Sequence, residues 1–259
     1  MKIRYILLAT FCAIAVFLLV EPVSFAQSRG GPQGNGGGYG NPLNQPLPPG
    51  IKVRAFIHRP RVVEPAHLGT CDPVTTDSAN YGLTGWRLPD GGITWKLNEA
   101  TVPSSVGAAA ARAVIADAFA AWTAADPGKI FIDGGTTSVK GARFDRVNAI
   151  LWGRLGASSI AVTYVWYYTA TGLVAEVDTV FNKRYPWRVF PEGDGCSTLY
   201  DAYDLENIAV HEFGHWIGLD DLYNDADADL TMYGFGAGGE LKKRTLASGD
   251  QIGANIVAP

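Results

Sequence analysis

Residues that bind metals or cross-link chains are scarce in this 259-residue sequence, which has three cysteines, four histidines and two methionines. A strong charge of either sign is missing too, since 21 Lys and Arg stand against 25 Asp and Glu for a formal net charge of -4. Each shortage excludes something. Without a basic excess there is no electrostatic footprint for a nucleic-acid partner. Three cysteines allow at most one disulfide. Long apolar runs are also lacking. The run from Ile6 to Val20, broken only by Thr10, has 15 residues, whereas a membrane-spanning helix needs about 20.

That short run has Lys2 and Arg4 before it and Glu21, Pro22 and Ser24-Phe25-Ala26 after it, the order of a secretory signal peptide. Residues 1–26 are therefore expected to be removed after Ala26, leaving a secreted, extracytoplasmic chain with no stable membrane association. Lys2, Arg4 and Glu21 would leave with it, a net of +1, so the mature charge becomes -5. Cys12 would leave as well. Cys71 and Cys196 then remain as an even pair in an oxidising compartment, and a disulfide between them is expected.

From Ser28 to Gly50 the chain is almost entirely Gly, Pro, Asn and Gln, too poor in apolar side chains to join a core. Residues 27–76 read as a Gly/Pro-rich linker or short propeptide, with no structure assigned between Ile51 and Thr76. Residues 77–259 suffice for one compact domain. In it, Ile93 to Asn98 alternates as a strand. Ser104 or Ser105 is placed to cap an Ala-rich helix running to about Ala125, whose apolar stripe is Val106, Ala110, Val114, Ala118 and Trp122, widened by Ile115 and Phe119. Lys129–Ile132 and Val147–Trp152 read as strands, Ile160–Tyr168 and Leu173–Phe181 as a hairpin, and Asp204–Gly218 as a second long helix.

The second helix carries His211-Glu212-Phe213-Gly214-His215. Residues four apart share a helix face, so His211 and His215 can direct imidazole nitrogens at one ion with Glu212 beside them. A zinc ion with three protein ligands keeps a position for water and lowers its pKa towards about 7. Glu212 is then placed as general base, taking the proton of that water and passing it to the leaving amine. For the third ligand, the other two histidines, His58 and His67, lie in the unassigned stretch and fit poorly. Gly218 can end the helix and turn the chain sharply, which lets Asp221 return to the metal. After Glu212 the chain has a single glutamate, Glu240, and it sits in Gly-rich sequence rather than on a helix.

Together, His211, Glu212, His215, Gly218 and Asp221 resemble the zinc signature of the metzincin peptidases, in the aspartate variant seen in snapalysin-type members. Asp229-Leu230-Thr231-Met232-Tyr233-Gly234 is similar to the family's Met-turn, with Met232 as the apolar floor beneath the ligands. Ala175 to Asn182 and Leu246 to Gly253 are similar to the strand before the active-site helix and to the closing helix of matrixins. Gly234 stands where matrixins usually have proline. The resemblance implies an α/β (α+β) domain with a twisted, mostly parallel sheet, an antiparallel edge strand, two long helices and a C-terminal helix. It also implies a protein or peptide substrate extended along the edge strand, for which Ile160–Val165 is the candidate.

Two weaker features and two rivals complete the reading. Asp225, Asp227 and Asp229 alternate as calcium ligands can, but without an EF-hand's glycine and distal glutamate, so a solvated acidic loop is preferred over a Ca²⁺ site. Gly69-Thr70-Cys71-Asp72 does not reproduce the zinc-silencing cysteine segment of matrixin propeptides. A catalytically inactive zinc-holding module and an amidase of small non-protein substrates are the rivals to a zinc endopeptidase. The retained Glu212 speaks against the inactive module.

Overall fold

The strand at Asn148–Gly153 shows how the domain is layered, because its four central residues, Ala149, Ile150, Leu151 and Trp152, are all buried. Ile150 and Trp152 enter the main core, while Ala149 and Leu151 enter a second apolar cluster on the opposite face. A strand covered on both faces reads as an unbroken apolar run. The computed structural model describes residues 41–61, 77–191 and 201–257. The expected signal peptide, His67, and Cys71 and Cys196 with their expected disulfide lie outside the described residues.

In chain order the strands are β1 (Ile51–Pro60), β2 (Ile93–Leu97), β3 (Phe131–Thr136), β4 (Asn148–Gly153), β5 (Ala161–Tyr168), β6 (Val174–Asn182), β7 (Trp187–Arg188), β8 (Tyr203–Asp204) and β9 (Phe235–Gly236). The helices are α1 (Ala108–Ala125), α2 (Leu205–Ile217) and α3 (Ser248–Ile256). Among the described residues, seven strands form one sheet in the order β3-β2-β4-β6-β5-β1-β9, and β7 and β8 pair separately. The chain is thus α/β with a mostly parallel sheet. Only β5 runs against its neighbours, antiparallel to both β6 and β1.

One expectation fails here. The antiparallel strand was expected at the edge, yet β5 is interior. Ile51–Pro60, unassigned in sequence within the expected linker or short propeptide, is strand β1, registered against β5 from Ile51 opposite Tyr168 to His58 opposite Ala161. Its outer end runs parallel to β9. The physical reason is visible in retrospect. Ile51 and Val53 alternate with Lys52 and Arg54, and the apolar pair rests on the second cluster.

Smaller shifts have local causes. Helix α1 starts at Ala108 after Gly107, whose φ of 80° breaks the preceding chain. Ser105 donates its hydroxyl to Trp187 O instead of capping. Ala111 rather than Ala110 enters the core, along with Val114, Ile115, Ala118, Phe119 and Trp122. Strand β3 begins two residues later than expected, because Lys129 turns inward and donates its ammonium to Val257 O at 2.6 Å.

Helix α2 is held against α1 by the stacked rings of Phe119 and Phe213, 3.8 Å apart, and by Trp122 Nε1, which donates to Val210 O at 2.8 Å. Asp204 caps its N-terminus by accepting from Asn207 N at 2.8 Å. Gly218 ends it in the left-handed conformation, φ 108°. A Cβ there would lie 2.3 Å from Trp86 O, so Gly218→Ala combines backbone strain with a clash. It should lower the unfolding free energy by about 2 kcal/mol or more, measured as a fall in the denaturant midpoint at unchanged slope.

Candidate metal centre

His211, Glu212 and His215 project from α2 into the interior and are completely buried. Each histidine is oriented by a carbonyl behind it. Nδ1 of His211 lies 2.7 Å from Thr231 O and Nδ1 of His215 lies 2.9 Å from Leu219 O. A carbonyl only accepts, so both Nδ1 atoms carry the proton and both Nε2 atoms keep a free lone pair. Burial drives His211 well below its ordinary pKa and His215 down to about 3, which keeps both rings in the neutral, ligating form.

The turn at Gly218 returns Asp221 to these nitrogens. Its Oδ1 lies 3.3 Å from His211 Nε2 and 3.5 Å from His215 Nε2, while Tyr223 donates its hydroxyl to Oδ2. A tetrahedral ion with bonds of about 2.0–2.1 Å sets its donor atoms about 3.3 Å apart, so the spacing fits. The three donor atoms are buried and have no hydrogen-bond partner. Leaving such atoms unpaired costs about 1–3 kcal/mol each, and one cation would satisfy all three. The sequence therefore brings together the residues expected to hold a metal.

Met232 packs against α2 at Gly214, with Asp250 of α3 fixing its turn by accepting from Thr231 N at 2.8 Å, Met232 N at 3.1 Å and Ala247 N at 3.0 Å. Gly214 faces the sulfur, and a Cβ there would come within 2.2 Å of Met232 Sδ. The small residue between the histidines is thus required by the methionine side chain.

Glu212 is held from the sheet. Thr163 of β5 donates to its Oε2 at 2.5 Å, and the Thr163 oxygen is 2.8 Å from the hydroxyl of Thr179. Trp216 Nε1 donates to that same Thr179 oxygen at 3.0 Å. Because the Thr163 hydrogen serves Glu212, the Thr179 hydrogen serves Thr163. Burial raises the Glu212 carboxyl well above its usual range, opposed by the Thr163 hydroxyl, and a cation beside it would pull it back down. Oε1 is buried and unpaired.

His58, set aside at the level of sequence, is fully buried at this centre. Its Nδ1 lies 3.9 Å from Glu212 Oε1 and its ring meets the His211 ring edge-on, centroids 3.9 Å apart. Phe56, two residues earlier, stacks on His215 at 4.0 Å. His58, Thr163 and Asp250 were missed for one reason: they act across elements that no local pattern connects. Among the described residues, two groups can converge on one ion, His211 with His215 and Asp221, and His58 with His211 and Glu212.

The acidic loop is neither a calcium cage nor wholly solvated. Asp225 accepts from Tyr233, the buried Asp227 from Ser78 and Asn80, and Asp229 from Lys242, so the three carboxylates diverge.

No family model matches the chain, and no curated protein matches it.

Titrating metal-free protein with zinc should give one tight site. Asp221→Ala should weaken it on the order of a hundredfold, read by calorimetry or by competition with a chromophoric chelator.

Proposed function

We propose that the chain is a zinc-dependent endopeptidase that hydrolyses peptide bonds in proteins, and that it is secreted on the strength of its N-terminal pattern. The observation that carries this reading is the set of three unpaired donor atoms at zinc spacing with a carboxylate beside them. A zinc ion bound by His211, His215 and Asp221 supplies a Lewis acid and lowers the pKa of water towards about 7. Glu212 is the general base. Its Oε2 is pinned by Thr163, which leaves Oε1 to take a proton from the attacking water and deliver it to the leaving amine. Met232 and Asp250 hold the two ligand-bearing segments in place, and Thr231 O and Leu219 O fix the imidazole tautomers. The metzincin resemblance of the same residues supports the reading.

One observation favours the rival, a zinc-holding module without catalysis: His211, Glu212 and His215 have no exposed surface. The carboxylate decides between them. Glu212→Gln preserves shape and removes the base, so the variant should bind one zinc as the native protein does and lose cleavage of denatured casein by a factor of about 10² or more. Equal cleavage by both proteins would rule out this mechanism.

A further inference from the structure

The position that an extended substrate would take beside β5 is filled by the chain itself. Strand β1 lies antiparallel along the free side of β5 from Ile51 to His58. On its other flank, Arg59 N donates to Gly234 O at 3.0 Å and Arg61 N to Gly236 O at 2.7 Å, in the segment that follows the methionine turn. Strand β1 thus runs between two walls, over the face that carries the metal ligands.

Its alternate side chains on that face make the contacts. Arg54 forms an ion pair with Asp220, next to Asp221, in which the single nitrogen Nη2 lies 2.8 Å from each carboxylate oxygen. The guanidinium also covers the Phe56 ring, 4.6 Å from its centroid. Phe56 stacks on His215 and packs edge-on against Trp86, and His58 covers His211 and faces Glu212. Of the ten residues of the strand, Ile51, Phe56 and His58 are buried and the rest, apart from the exposed Lys52, are half-buried. Backbone pairing, one arginine and one aromatic ring are features that another extended peptide can reproduce.

We infer that β1 occupies the peptide-binding cleft of the proposed peptidase, and that Asp220 and the Trp86–His215 surface select extended peptides with an arginine two residues before an aromatic. The inference rests on the peptidase reading of the metal centre. It accounts for the enclosure of that centre, since residues 54–58 cover the ligands, and it names the specificity determinants. Asp220 supplies the counter-charge, and arginine is favoured over lysine because its planar guanidinium also lies flat over the Phe56 ring, 4.6 Å from the centroid, where a compact, strongly hydrated ammonium fits less well. Trp86 and His215 supply a flat apolar seat for the ring.

The full-length, zinc-loaded protein tests this without truncation. In hydrogen exchange on the native chain, β1 amides should exchange at least tenfold faster than those of β6, since β1 has to leave as a unit while the sheet stays intact. Equal protection of the two strands would overturn the inference, whatever any variant does. The double variant Arg54→Ala/Phe56→Ala should lose zinc to a chelator at least tenfold faster than the native protein. It should also bind a labelled decapeptide of sequence IKVRAFIHRP at least tenfold more tightly than the same peptide with alanine at its arginine and phenylalanine. Identical stripping rates from two zinc-loaded proteins, or equal binding of the two peptides, would overturn the cleft assignment and leave the metal site standing. Failure of both proteins to hold zinc would overturn the metal reading, and this inference with it.

Discussion

Five buried polar atoms without hydrogen-bond partners lie together in this fold, and the structure around them is arranged to hold them at spacings that could take a cation. They are His211 Nε2, His215 Nε2, Asp221 Oδ1, Glu212 Oε1 and His58 Nδ1. At about 1–3 kcal/mol each, such a cluster would consume much of a domain's net stability if nothing occupied it. The surrounding structure keeps them in place. Carbonyls fix two imidazoles, Thr163 holds one carboxylate oxygen, and Asp250 ties the methionine turn to α3. Helix α2 is fastened by rings and by an indole hydrogen bond rather than by propensity, since Gly214 sits in its middle to make room for Met232.

Much of the candidate metal centre was legible in sequence because its parts are local. His211, Glu212 and His215 follow helical spacing, Gly218 has the left-handed conformation that a sharp stop requires, and Asp221 lies one turn beyond. The hairpin of β5 and β6 was legible for the same reason. What sequence could not give was placement across the sheet. Strand β1 carries a period-two pattern, but Pro60 and its arginines disguise it, and its partners stand more than a hundred residues away. His58 is not a member of the expected ligand set, and its place against His211 and Glu212 has no local signal because it lies far along the chain from the helix it meets. The edge assigned to Ile160–Val165 failed for a related reason: β5 was correctly read as a strand, while its neighbour on the far side was not.

The same separation explains the acidic loop. Alternation of Asp225, Asp227 and Asp229 resembles a cation loop on paper, yet each carboxylate is taken by a donor from a different segment. Alternating carboxylates form a binding site only when their lone pairs converge, and in this loop the backbone turns them apart.

The hydroxyl line behind Glu212 has a direction. It begins at an indole N–H, which can give a hydrogen bond but never receive one, and every later hydrogen in Trp216, Thr179 and Thr163 points toward the carboxylate. Such a line supplies donors to Oε2 and offers no way out through the interior. The line therefore ends at Oε2, and the oxygen of Glu212 left unsatisfied is Oε1, which faces His58 Nδ1 at 3.9 Å and is, in the proposed mechanism, the atom that exchanges a proton with water.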